Sequence, residues 1–440
     1  MESYTSLLDA SSSLFAAVLW EGHRDELLAA GDELDGLVRN LALECARRSL
    51  ALLLQRWSMF FEETTDDRVA QRVDGVFTSV LGPVEVSLPR LRTRGTREQH
   101  SPMAEVFGVR ASGKSPRVER ALVDFGSEQS YGRAASRFAE HYGFDIGRTS
   151  LLRVVQRHGE RAEQYLADRF ATPVAASDDA HTVFVQLDGS MVPTGEFKSA
   201  GYAGRTDLPR GAQVRPREWR EVRVGLALRD GAVDATYVAR MASYDVVTDQ
   251  LHGAAVMQGL GPTTDVVCTA DGGNGLKTAV LDTFDNCAFV LDHAHLVQHL
   301  WELANERDKS TAQSWVDETL AELAAGRSRD VLKRLRKELL RIRTDHPRSP
   351  DPAPALRRFI DYLDEHADSV AYDRYREAGW LIGSGRCESA HRYIPQARLK
   401  IPGATWSPAN VNRMLAIRVI RANGWWDDFW GQAHGPRLAV

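Results

Sequence analysis

Four cysteines in 440 residues, Cys45, Cys268, Cys287 and Cys387, stand apart with no CxxC spacing. Their scatter excludes a disulfide framework and the common structural zinc arrangement, leaving reduced thiols as the expectation. Nowhere does an apolar run approach the roughly 20 residues that a bilayer crossing needs. Glu2 and Asp9 sit where a signal peptide would carry positive charge, so a cytoplasmic protein is expected. No dinucleotide or P-loop fingerprint follows any strand-like run, since DGGNGLKT lacks the Walker spacing, and a metabolic nucleotide enzyme falls to last place. Internal repeats and low-complexity tracts are also missing. A net charge of -5 gives no global attraction to nucleic acid.

What is present is length, apolar content and uneven charge. With 440 residues and 43% apolar content the chain can fill two or three cores. Basic residues gather at Arg90, Arg92, Arg94 and Arg97, from Arg327 to Arg343 around KRLRK, and from Arg386 to Arg421, where Glu388 is the sole acid. Runs of this kind also fit solvated helix faces, but three in one acidic protein read as faces kept for phosphate.

The periodicities divide the chain. Residues 1–66 form an N-terminal helical region, with one long amphipathic helix from Asp32 to about Phe61 available for packing or oligomerisation. A small α+β module spans 67–115, its hairpin over 76–88 turning at Gly82-Pro83 before the first basic run. Residues 116–172 read as three short helices in a helix-turn-helix pattern: small Ala134 and Ala135 at the crossing, a turn at Gly143, buried Ile146, and Thr149 capping the last helix. That helix offers Arg148, Ser150, Arg153, Gln156 and Arg157 to base edges and phosphates, although a plain helical linker fits the same pattern. Strands then alternate with helices over 180–299, from HTVFVQLD to CAFVLD, in the order of a ribonuclease H-like α/β core. An α-helical insertion follows over 300–370, broken at DHPRSPDPAP. The core resumes over 371–430 with a C-terminal helix and aromatic cluster, and 431–440 is a tail.

Two carboxylates are expected at strand tips, Asp188 ending TVFVQLD and Asp271 ending DVVCTAD, at the edge where open α/β sheets bind ligands. Acids brought that close repel unless a cation shares them, which argues for Mg²⁺. A third acid, Glu388, lies where a glycine-rich loop enters a helix capped by Ser384, with His391 and Arg392 on neighbouring positions. Taken alone, each Asp-Gly is a common turn signal and Glu388 among arginines fits a salt bridge.

These residues, in the motifs LDGS (187–190), WREVRVG (219–225), TADGGNG (269–275), LDHAH (291–295) and GWLIGSGRCESAHRYIPQARLKIPGATWS (379–407), followed by WWDDFW, resemble bacterial insertion-sequence DDE transposases of the ISKra group over roughly 180–430. The resemblance implies a ribonuclease H-like core with the triad Asp188, Asp271 and Glu388, the helical insertion before the glutamate, and cleavage and strand transfer at transposon ends. It also sets Asp292 and His295 beside the site, like the C/D-x-x-H element of related transposases, with His391 nearby. No cysteine pair occupies 90–115, where some members carry one, which speaks against zinc-dependent end recognition here.

Phosphodiester exchange by this triad calls for two Mg²⁺ or Mn²⁺ ions, Asp188 bridging both and Asp271 and Glu388 each contacting one. Arg386, Arg392, Arg398 and Lys400 are then expected to grip the DNA backbone, and Trp406 to stack on a frayed base. The expected partners are transposon-end and target DNA and a second copy of the chain, with a nucleoid-associated location. Two alternatives keep the same residues: a ribonuclease H-like nuclease that does not join strands, and a domesticated transposase acting as a DNA-binding regulator.

Overall fold

The computed structural model describes residues 2–176, 178–199, 207, 209, 212–306, 310–346 and 348–432. The tail read at 431–440 therefore lies almost wholly outside the described residues. The chain is a mixed α/β protein in two compact units, one of residues 1–126 and 131–152, the other of 127–130 and 153–440. Among the described residues no helix is long and apolar enough to cross a membrane.

The first unit opens with two long helices, α1 (Glu2–Ala30) and α2 (Leu34–Glu63), then a hairpin of β1 (Arg68–Ser79) and β2 (Gly82–Arg92), extended by β3 (Gln99–His100) and followed by α3 (Pro102–Phe107). Strand β2 alternates as far as Leu88, with Val84, Val86 and Leu88 inward and Glu85 and Ser87 outward. Its inner face packs with Phe77, Met103 and Val109 against Leu54 of α2. The hairpin is longer than its sequence pattern indicated, and its turn is Val80-Leu81: Ser79 pairs with Gly82, so Gly82 and Pro83 already belong to β2.

Three further helices follow: α4 (Pro116–Glu128), α5 (Tyr131–Tyr142) and α6 (Arg148–Ala171). Val118, Leu122, Ala134, Phe138 and Leu151 are fully buried. Gly143, at φ +77°, takes the left-handed conformation that ends α5. Helix α6 starts at Arg148, so Thr149 lies within its first turn and is not the cap, and the helix runs 24 residues, longer than the short helix expected.

The second unit is built on a five-stranded mixed sheet. In chain order its elements are β4 (Thr182–Thr194), a small ladder of β5 (Lys198–Ser199) and β6 (Gln213–Val214), β7 (Glu218–Arg229), β8 (Thr236–Arg240), α7 (Tyr244–Met257), β9 (Asp265–Ala270), α8 (Leu276–Thr283) and β10 (Cys287–Leu291). The sheet order is β10-β9-β4-β7-β8. Strand β4 pairs antiparallel with β7, and β7 with β8, whereas β9 runs parallel to both β4 and β10. Residues 182–187 are buried without alternation, as in a strand covered on both faces.

Next comes a helical segment of α9 (His293–Ala304), α10 (Ala312–Ala324), α11 (Ser328–Asp345), α12 (Pro354–Glu365) and α13 (Tyr372–Glu377). The break between α11 and α12 falls in the proline-rich stretch, and Pro354 opens α12, where its missing N–H costs nothing. The chain closes with α14 (Gly385–His391), a π-helical turn (Arg392–Gln396), α15 (Ala397–Leu399), α16 (Pro408–Ala422) and α17 (Trp426–Gln432).

The π-helical turn is held by a buried arginine. Arg418 donates from Nε to the carbonyls of Tyr393 (3.0 Å) and Ile394 (2.6 Å), and from Nη1 to the Ser127 carbonyl (2.6 Å) and Glu128 (2.9 Å). Replacing Arg418 with Met removes these donors and leaves buried carbonyls unmatched. An expected loss of about 2–4 kcal/mol follows, read as a lowered midpoint in chemical denaturation.

Candidate functional site

Two parallel strands bring the first two acids together. The last residue of β9 is Ala270, paired with Leu187 of β4, so Asp271 leaves the sheet at the end of its strand. Asp188 is one residue beyond that pairing but does not end β4. It sits in mid-strand opposite Val224, because β7 goes on offering backbone partners as far as Thr194. The expected strand tip at Asp188 is thus corrected to the point where the parallel neighbour stops.

The segment carrying Glu388 is fastened to this edge by buried polar groups. Gln186, 1% exposed in an otherwise apolar run, donates from Nε2 to the Gly383 carbonyl and accepts at Oε1 from the Cys387 N–H, both at 3.0 Å. Thr269 donates to the Leu381 carbonyl at 2.8 Å, and the His293 N–H donates to the Ile382 carbonyl at 3.0 Å. Asp292 Oδ2 accepts from both the N–H (2.6 Å) and the hydroxyl (2.7 Å) of Ser384. Ser384 occupies the position before α14 as expected, yet its hydroxyl makes no cap there because Asp292 has claimed it. Gln186 was passed over in the sequence, although an amide inside a buried strand is itself a signal.

Electrostatics join the acids. Burial pushes the Asp188 carboxyl up to about 6, the negative charges of Asp271 and Glu388 push it the same way, and the Gly189 N–H and His295 oppose. Glu388 is exposed on α14, whereas the Asp188 side chain keeps 17% of its surface. Among the described residues no group of three or more His, Cys, Asp or Glu is arranged to hold a metal ion.

Two histidines near the acids differ in protonation. His295 Nδ1 lies 3.2 Å from Asp292 Oδ1; this contact chiefly raises its pKa, to about 8, with burial opposing and the charges of Asp292, Asp271 and Asp188 adding. Asp292 also accepts the His295 N–H and so caps α9. Burial works against the Asp292 carboxylate, but the hydrogen bonds from His295 and Ser384 outweigh it and hold the pKa well below the usual range. His391 stands 3.2 Å from the Asp188 carbonyl and 3.4 Å from its Oδ2, and burial drives its pKa down to about 4. The neutral ring then donates from Nε2 to that carbonyl.

A second ring of residues, absent from the sequence reading, shapes the surroundings. Tyr362 on α12 donates to the Asp271 carbonyl at 2.9 Å, and His366 Nε2 lies 3.2 Å from the Gly272 carbonyl. Gly272, at φ +77°, has no room for a side chain: a Cβ would stand 2.7 Å from His366 Nε2. On the other flank Arg223 pairs with Glu221 at 2.5 Å and lies over the Tyr244 ring at 3.9 Å. Both charged residues lie in the WREVRVG motif.

The residues expected to meet DNA divide. Arg148, Arg153 and Arg157 are exposed along α6 and Gln156 is half-buried; Arg386, Arg392 and Lys400 are exposed beside Glu388, Arg386 donating to the Val233 carbonyl at 3.1 Å. Arg398 and Trp406 are corrected. They are 3% and 7% exposed, the guanidinium lies over the indole at 4.7 Å, and the indole N–H donates to the Leu399 carbonyl. Trp406 also pairs through its backbone with Pro193 and Gly195, closing the far end of β4, so its ring is a packing element and not a platform for a base.

Two measurements check this construction. Gln186→Leu strands the Gly383 carbonyl and the Cys387 N–H, and unfolding should show about 2–4 kcal/mol of lost stability; an unchanged midpoint would remove Gln186 as the fastening. An NMR titration of His295 should give a midpoint near 8, falling toward the ordinary value of about 6.5 in Asp292→Asn. Because the folded pKa is raised, the stability this contact gives is full below about 6.5 and is lost as pH rises through about 8.

No family model matches the chain. A protein of Streptococcus gallolyticus, described as the UPF0236 protein in vanSb 3'region, is 21% identical over 175 residues. That match covers 39% of this chain and 36% of the relative, so the chain spans about a third of the relative it matches. Among solved structures, the Drosophila P element transposase strand transfer complex overlaps 74% of this chain and 95% of its own, with 11% identity and a TM-score of 0.35.

Proposed function

We propose that the chain is a DDE transposase of the ISKra group, with a ribonuclease H-like core, that cleaves insertion-sequence ends and transfers strands. The observation that carries this reading is that Asp188 and Asp271 each stand one residue past the Leu187–Ala270 pair of the parallel strands, while Gln186 fastens the segment bearing Glu388 to the same strand. The sheet order supports the core assignment: three antiparallel strands in sequence, then two parallel strands added through helices on the other side of the first. The motif likeness over 180–430 supports the same reading.

The donor chemistry of three carboxylates fits a divalent cation, whereas their spacing as folded does not close around one. One or two Mg²⁺ or Mn²⁺ ions held by Asp188, Asp271 and Glu388 would supply an activated water or 3′-hydroxyl and neutralise charge at phosphorus. The chain's own groups do the rest. Gln186 and Asp292 fix the backbone that carries Glu388, and Tyr362 and His366 fix the turn that carries Asp271. His391 holds the Asp188 backbone, and protonated His295 sets positive charge beside the acids, where a phosphate oxygen gains charge during transfer. Arg386, Arg392 and Lys400 would meet backbone phosphates, and Arg148, Arg153, Gln156 and Arg157 on α6 would read a major groove as a helix-turn-helix. Two ends must be joined, so a dimer or higher oligomer on DNA belongs to the proposal.

The test is incubation with Mg²⁺ or Mn²⁺ and DNA bearing the element's ends. Wild type should release nicked ends and joined products, while Asp188→Ala and Glu388→Gln lose at least about 1,000-fold in rate. Equal product from all three would remove the enzyme reading. Hydrolysis without joining would make the chain a nuclease, and end binding without cleavage by any of them would make it a regulator.

A further inference from the structure

Helix α11 segregates its charge in a way that ordinary solvation does not require. Its 18 residues bury Val331, Leu332, Leu335 and Leu339 on one face. Along the opposite face run Arg329, Lys333, Lys337 and Arg341, one above the other at four-residue intervals, with Arg343 and Arg336 beside them; all are exposed. Asp330, in the first turn where the helix dipole favours an acid, is the lone negative charge within that face. The other edge of the helix is mixed: Arg334 pairs with Glu322 at 2.8 Å, and Glu338 and Asp345 lie along it. Arg336 reaches Asp364 at 2.8 Å, but among the described residues no ion pair engages Lys333, Lys337 or Arg341.

Three successive like-charge contacts at i, i+4 cost helix stability, by about 0.2–0.5 kcal/mol each, where alternating signs would have gained it. A row that keeps this cost is suited to a polyanion. We propose that this face of α11 binds the phosphate backbone of duplex DNA without reading sequence. The helix is about 27 Å long and so spans roughly eight base-pair rises of one strand. It lies against α12, which with Tyr362 and the following His366 holds the turn after Asp271, so duplex bound along α11 docks on the element that supports the candidate site. The inference rests on the reading of the chain as DNA-binding and adds a face to it.

Fluorescence anisotropy of the full chain on an arbitrary labelled duplex of about 30 base pairs, titrated across salt concentrations, tests it. Neutralising the row with Lys333→Gln, Lys337→Gln and Arg341→Gln together should flatten the slope of log affinity against log salt by about 2 to 3 and weaken binding roughly tenfold or more at about 0.1 M salt. The charge-keeping combination Lys333→Arg, Lys337→Arg and Arg341→Lys should bind like wild type. The charge-keeping combination should melt with the wild-type chain, and the neutralised one at or slightly above it, since all three side chains face solvent and their mutual repulsion is relieved. Binding by wild type with the same slope in the neutralised chain overturns this inference while leaving the transposase reading intact. Failure of wild type to bind any duplex overturns both.

Discussion

An amide, a carboxylate and a hydroxyl buried at the sheet edge set the geometry of everything around them. Gln186, Asp292 and Thr269 sit on or beside three adjacent strands, β4, β10 and β9, and each commits at least one polar atom to the backbone of residues 381–387. A buried polar group left without a partner costs on the order of 1–3 kcal/mol, so these side chains tolerate only one path for that segment. A hydrophobic contact would have let the segment slide; paired donors and acceptors do not. Glu388 is therefore placed by the register of the sheet, through atoms far from it in sequence. Asp292 does this twice over, since its other oxygen caps α9 and engages His295.

The same edge shows why burial alone does not set a group's charge. Asp292 is the more enclosed acid, yet three hydrogen bonds from the His295 and Ser384 N–H groups and the Ser384 hydroxyl, with the His295 ring beside it, keep it ionised. Asp188 has one backbone N–H, two acids facing it, and its pKa rises to about 6. His295 gains a proton from the company of Asp292, while His391, against Asp188 but enclosed and facing its carbonyl, loses one. One carboxylate is thus satisfied by its neighbours and the other is left wanting a positive partner. An acid held in that state is stabilised in its ionised form by any positive charge brought beside it.

How far the sequence foretold this depends on the range of the interaction. Helix α2 and strands β9 and β10 follow local periodicity. Pairing carries information that periodicity does not. TVFVQLD reads as a strand ending at Asp188 because Gly189 follows, but β7 extends the strand to Thr194. The Val80-Leu81 turn was hidden for the same reason, the more familiar Gly82-Pro83 lying one step too late. Arg398 and Trp406 looked like surface residues in a basic stretch, and only the closing of Trp406 onto the end of β4 buries them. Arg418 was one more cation in the same stretch until its four partners were in place. Tyr362 and His366 had no local signature, because what they hold is the backbone of Asp271 and Gly272, a long way back in the chain.

That last contact gives the helical segment a structural reason beyond filling space. A turn that follows a strand end, with a left-handed glycine at its centre, has few backbone partners of its own: Gly273 donates to Asp271 Oδ1, and little else within the turn ties the peptide units down. Tyr362 supplies a donor to the first carbonyl, and the high pKa that burial gives its hydroxyl keeps that donor protonated. His366 meets the second carbonyl, and its ring occupies the space that any side chain at position 272 would need. The glycine is thus required twice, once by its φ and once by the histidine. Since α12 packs on α9 and α11, the placement of Asp271 is coupled to the packing of the whole helical segment, as the placement of Glu388 is coupled to the sheet. Two carboxylates from distant parts of the chain are positioned by separate supports, and Asp188, rooted in the central strand, is the fixed point between them.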